Sequence, residues 1–349
     1  MNEAAGAIRA PMVGASAARK SGLPLTAEQA GQLEMVPTAL MGLGAGAASA
    51  LLMATMASRS PLSLLLVLLA PLPVMIAALG WSHWTALVAV TAAAAALALA
   101  FGEPLWIPIY LVGAGLPAWW LGYLALLARG NDDGSVEWYP PGRLVIWCTV
   151  IASVIVAIVM WNVRIDEQQF EAALKLTLDR MAKEYGSAAP DFTKVDVKRA
   201  GELIMSFVPP LSAAMITMAF ALNLYIAGRV AMVSGRLKRP WPDLPALRFP
   251  KHAPTAFAIA LIVWFMPGTI GMIGGIVSGA MIIAYVLLGL AILHDVTRSL
   301  GDRVFILSAI YLILMVFWPA SVLIAIFGVA DSIFDFRKTN AGPTPPAIT

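Results

Sequence analysis

Long apolar runs, separated by short polar, glycine-bearing or proline-bearing stretches, divide the chain. In order they predict helices at about 38–57, 62–79, 84–101, 105–128, 144–163, 207–227, 254–266, 271–293 and 305–329. Most are long enough to cross a hydrocarbon core of about 30 Å. The connections carry turn chemistry: Ser58-Arg59-Ser60-Pro61, then Gly102-Glu103-Pro104, then 129–142 with Asn131-Asp132-Asp133-Gly134 and Pro140-Pro141. The pattern predicts an all-α polytopic transmembrane helix bundle, because helices satisfy their own backbone groups in lipid. The seventh run is short and stops at Pro267-Gly268. The count is nine spans if it crosses and eight if it is re-entrant.

Two polar stretches interrupt this pattern. Residues 164–205 form the longer one. Phe170, Leu174, Leu178, Met181 and Tyr185 recur at helical spacing there. Glu171/Lys175 and Asp179/Lys183 are favourable i,i+4 pairs. Pro190 breaks the helix and Asp191 is placed to cap a second one. With seven basic and eight acidic residues over 164–202, the insert is nearly neutral. The second stretch, 229–253, is different. Arg229, Arg236, Lys238, Arg239, Arg248 and Lys251 face one acid, Asp243. A short basic loop between apolar runs marks the cytoplasmic side. It places the N-terminus inside and the insert outside, at a bacterial cytoplasmic membrane. Nine spans put Arg337 and Lys338 outside, and eight put them inside. The expected organisation is a disordered cytoplasmic tail over 1–37, a five-span half over 38–163, the insert, a second half over 206–338 and a flexible tail over 339–349.

Composition agrees. The chain has 349 residues, 60% hydrophobic and 12% charged, a balance that ordinary soluble domains do not show. The small net charge of +3, gathered in loops, fits orientation in a membrane and not nucleic-acid binding. The one cysteine, Cys148, excludes an internal disulfide and reads as a small buried hydrophobe. The sequence holds no P-loop, no H-E-x-x-H and no G-x-S-x-G. Three histidines far apart suggest no zinc centre. The expectation is a protein with no catalytic residues, metal or cofactor.

Candidate functional positions fall into three groups. Gly42, Gly46, Ala50 and Ala54 form a ridge of small residues at every fourth position, and Gly271, Gly275 and Gly279 form another. Such ridges let helix backbones approach closely, either inside the bundle or against another membrane subunit. Arg236, Lys238, Arg239, Trp241 and Arg248, interleaved with prolines, form a candidate cytoplasmic contact surface for a cytosolic partner or anionic lipid. His294, Asp295 and Arg298 cluster at one span end, and Asp331, Asp335 and Arg337 at another. Ion-pair networks at the interface and a substrate or proton site are both open for them. Trp119-Trp120, Trp138-Tyr139, Trp161 and Trp241 near span ends suit an aromatic belt.

These features resemble the YybS-like family of uncharacterised bacterial multi-pass membrane proteins. The resemblance rests on Pro71-Leu72-Pro73, Leu116-Pro117 with Gly122, the helical insert, RLKRPWPDLPALRFP and GVADSIFDFRK, and covers most of residues 38–338. More distantly, the first four spans look like the substrate-binding S components of energy-coupling-factor transporters. Those use a small-residue ridge on the first helix to dock a coupling subunit, and Ala50 and Ala54 stand in the matching place. The resemblance implies a solute-binding or transport-related component taking a small, largely apolar or neutral molecule and powered by a separate ATPase. A non-catalytic scaffold in envelope assembly is the alternative.

Overall fold

The computed structural model describes residues 27–339 apart from 59, 133, 164–171, 173, 181–182, 184–195 and 318. The chain forms α1 (Ala27–Ala54), α2 (Pro61–Leu68), α3 (Pro71–Gly80), α4 (His83–Phe101) and α5 (Trp106–Ala125). A two-stranded antiparallel ribbon follows, β1 (Ala128–Gly130) with β2 (Val136–Trp138). The helices α6 (Pro141–Val163), α7 (Val197–Val233), α8 (Ala253–Trp264), α9 (Gly268–Val296), α10 (Arg303–Val316), α11 (Ala320–Phe334) and α12 (Phe336–Thr339) complete it. Seven helical segments, counting α2 and α3 as one, are long and apolar enough to cross a membrane. The chain is a helical membrane bundle.

Four expectations need correction. α1 begins at Ala27, so the last part of the tail expected over 1–37 is helical. α7 begins at Val197, where the Asp196 side chain accepts from Arg199 N at 3.2 Å. The sixth span thus extends back into the insert expected over 164–205. The span expected over 305–329 is two helices, because Phe317 has left helical geometry (φ −126°, ψ 77°) and Pro319 has no N–H to continue the ladder. Finally, Arg337 donates to the carbonyls of Pro245 and Leu247 at 2.7 Å each. The end of the described chain therefore lies beside the basic loop, not on the opposite side where nine spans put Arg337. Phe170, Met181, Tyr185 and Asp191 of the expected insert helices lie outside the described residues.

The second span breaks at Leu69–Ala70, between α2 and α3. Leu72 N donates to Leu69 O at 3.0 Å, not to Leu68 O. Asn223 of α7 fills the gap, its Nδ2 donating to the Leu68 carbonyl at 2.7 Å. Ser49 of α1 donates to the Ala70 carbonyl at 2.7 Å and shares a 2.7 Å hydrogen bond with the Tyr110 hydroxyl. An unsatisfied carbonyl in hydrocarbon costs several kcal/mol. Polar side chains of neighbouring helices therefore sit where the proline opens the backbone.

Both small-residue ridges face inward. Gly42 abuts Thr85 and Val88, and Gly46 abuts Ala89 and Ala92, so α1 and α4 run side by side in the same direction. Ala50 is buried behind them and Ala54 is half-buried. On α9, Gly271 abuts the Met266 backbone, Gly275 the Trp264 ring, and Gly279 the Pro210 carbonyl of α7. α9 is the most buried span and packs against α6, α7, α8 and α11. α6 and α7 join the halves: Cys148, Phe220 and Ala227 enter the core built on α1–α5, while Val156 and Ala213 pack on Ile276 and Ala280 of α9.

Candidate functional site beneath the basic loop

The chain between α7 and α8 folds back over the end of the bundle. Gly235, at φ 66°, turns it out of α7, and prolines at 240, 242, 245 and 250 keep it extended between short turns. Trp241 turns inward. Its ring lies against Gly228, meets Tyr225 edge-on at 5.6 Å, and has the Arg229 guanidinium 5.4 Å from its centroid. The backbone at Arg248 runs so close to the start of α6 that Gly142 has no room for a side chain. Phe249 packs edge-on against Tyr285 of α9 at 5.4 Å.

Polar ties from distant helices hold this strap. Arg298, just beyond α9, pairs with Asp243 and also lies 3.5 Å from Asp295. Arg248 pairs with Asp335 at the end of α11, where Asp335 itself adopts a left-handed turn (φ 51°). Arg337 makes the deepest tie. Its Nε and Nη2 donate to Asp331 Oδ2 at 3.0 and 2.7 Å while its two amino groups hold the carbonyls of Pro245 and Leu247. The Arg337 and Asp331 side chains are 7% and 2% exposed. A charge so buried persists only with a partner and further hydrogen bonds, and Arg337 has both, while Asp331 Oδ1 is buried without a hydrogen-bond partner.

Beneath the strap lies a cavity of about 670 Å³. Leu144 and Cys148 of α6, Met218, Ala221 and Tyr225 of α7, and Leu287 and Leu290 of α9 form its walls, and Trp241, Leu244 and Leu247 form its roof. Its size and apolar lining suit a small-molecule site. Two basic side chains reach it, Arg239 and His294. Arg239 Nη1 donates to the carbonyls of Ala125 and Tyr139 at 2.9 and 3.3 Å, closing the end of α5. The Trp138 ring centroid lies 5.8 Å from the guanidinium. Burial lowers the Arg239 pKa below its ordinary value, since desolvation disfavours the charged form. His294 Nδ1 lies 2.9 Å from the Leu290 carbonyl, and the ring faces Tyr311 at 6.0 Å.

The structure thus redistributes the residues singled out in the sequence. Of the expected contact surface, Lys238 stays exposed and Arg236 lies over Trp81 at 4.5 Å. Arg239 and Trp241 line the cavity, and Arg248 is tied to Asp335. Arg239 and Trp241 thus turn inward from the expected surface, since an indole and a guanidinium stem gain more by covering apolar surface than by facing water, whereas Arg248 stays exposed. The two polar clusters, far apart in sequence, meet at the strap. His294 turns to the cavity and does not pair with Arg298. Sequence reasoning missed Asp243 as an anchor, the cavity itself, and the carbonyl ligands of Arg239 and Arg337. The sole available signal was the unusual mixing of proline, tryptophan and arginine between 236 and 250.

The chain matches no curated protein and no solved structure. A family model described as "Predicted membrane protein (DUF2232)" matches residues 47–332, which include the cavity walls and the strap. That match covers well over half of the chain, and the chain belongs to the DUF2232 family of predicted membrane proteins.

Proposed function

We propose that this protein is a non-catalytic, solute-binding component of a membrane transport process, with its ligand site in the cavity beneath the strap. The observation that carries this reading is an apolar cavity of about 670 Å³ walled by α6, α7 and α9 and partly roofed by a segment tied down through side chains. Release of those ties would open the site toward the loop side. The excess of Arg and Lys at this end of the bundle fits the cytoplasmic face of a bacterial inner membrane. Energy would come from a separate ATPase. The test is native mass spectrometry of the protein extracted from its own membranes. A retained small molecule, lost in an Ala221→Trp variant that fills the cavity, is the expected result. A wild-type protein carrying nothing, or a ligand equally retained by Ala221→Trp, contradicts the reading.

A further inference from the structure

The cavity holds one cation that its walls do not balance. The arginines that tie the strap down each meet a carboxylate: Arg298 meets Asp243, Arg248 meets Asp335 and Arg337 meets Asp331. Arg239 does not. It is half-buried, and among the described residues no carboxylate lies within ion-pair distance of it. Its Nη1 is held by two carbonyls, which fixes the guanidinium in place, while its Nε is buried without an acceptor. A guanidinium in apolar surroundings is unfavourable until an anion joins it, and its planar fork suits carboxylate and phosphate.

The space beside Arg239 is too deep and too apolar for a bare anion. Along α7 the lining runs from Gly228 to Met218, about 15 Å of helix at 1.5 Å per residue. On α6 it reaches Cys148, two turns in from Pro141. Those walls carry Leu144, Ala221, Leu222 and Leu287. A cation in the lining of an otherwise apolar, elongated cavity describes the complement of an amphiphile. We infer that the cavity binds a single-chain amphiphile, with an anionic carboxylate or phosphate head paired to Arg239 and a hydrocarbon tail between α6, α7 and α9. This rests on the reading of the cavity as the ligand site.

The test titrates the purified full chain in detergent with hexadecanoate, hexadecyl phosphate, hexadecanol and inorganic phosphate, counting bound molecules by native mass spectrometry. Wild-type protein prefers the anionic long-chain probes over hexadecanol by roughly tenfold or more, the scale of one charge-assisted contact. Arg239→Gln removes that preference, so that hexadecanoate, hexadecyl phosphate and hexadecanol bind the variant alike. Arg239→Lys retains most of the preference, and Lys238→Gln, an equal charge change on the exposed side of the strap, leaves it intact. Equal binding of hexadecanol and both anionic probes by wild-type protein overturns the anionic head and spares the cavity reading. Inorganic phosphate binding as well as the long-chain anions overturns the tail. Failure of every probe overturns the cavity as a ligand site, and this inference with it. Should Arg239→Gln not fold, Ala221→Trp decides: it leaves Arg239 in place and fills the recess, so undiminished hexadecanoate binding overturns the proposal.

Discussion

Replacing Arg337 by methionine keeps an unbranched apolar stem and deletes four hydrogen bonds, two to Asp331 and one each to the carbonyls of Pro245 and Leu247. The Asp331 side chain is 2% exposed, so its carboxylate is left buried beside an apolar neighbour. Breaking a buried pair by removing one partner costs about 3–5 kcal/mol, most of it from the stranded charge. Removing both charges is much milder, because nothing is then left unpaired. The expected result is a loss of about 3–5 kcal/mol for Arg337→Met in mixed-micelle denaturation, with the Arg337→Met/Asp331→Leu double variant regaining at least about 1 kcal/mol. A second readout follows from the carbonyls. Without their donor the strap loosens, and the buried Cys148 of the cavity wall becomes reactive toward a small maleimide. The double variant does not restore that protection, since leucine and methionine cannot hold Pro245 and Leu247. A single variant that loses under about 1 kcal/mol, or a double variant no more stable than the single one, refutes the stranded-charge argument. Full protection of Cys148 in Arg337→Met refutes the strap argument.

Three further outcomes are expected. Gly279→Ala, whose methyl would meet the Pro210 carbonyl, destabilises by about 1–3 kcal/mol, whereas Gly44→Ala, with nothing within 4 Å, is neutral or stabilising by up to about 1 kcal/mol; thermal melts of the two variants check the difference in sign. Asn223→Leu strands the Leu68 carbonyl and loses about 1–3 kcal/mol, while Asn162→Leu at an exposed site changes stability by less than about 0.5 kcal/mol; equal losses would show that the helix break needs no side-chain donor. In a Cys148→Ser background, Lys238→Cys and Thr339→Cys are labelled by an impermeant thiol reagent from the same side of the membrane, and labelling from opposite sides would return the chain to an odd number of crossings.

Most helix positions were legible because lipid imposes a simple rule: a segment that crosses must be long, apolar and internally hydrogen-bonded. The boundaries failed where a local signal was weighed without its neighbours. Pro209 and Pro210 stand inside α7, and the helix passes through them with Gly275 and Gly279 of α9 close against Pro210. Pro319 does break its helix, although the apolar run continues on either side. The ribbon Ala128–Gly130/Val136–Trp138 grew from turn residues that were read as a turn alone.

The sequence by itself determined that the chain is a membrane helix bundle, where nearly all its apolar segments lie, and that 229–253 is its most basic loop. Those properties depend on composition over stretches of one helix or less. What the small ridges face, and which way the loop arginines point, follow from how the helices pack. The carboxylates that answer Arg298 and Arg248 across the fold lie 55 and 87 residues away in the chain, and the carbonyls that answer Arg337 lie 92 and 90 away. An arginine looks the same in sequence whether it meets a distant acid, caps a helix end or faces water. Its role is set by which groups the folded bundle brings within a few ångströms, and the unbalanced charge of Arg239 in an apolar recess exists only once that bundle has formed.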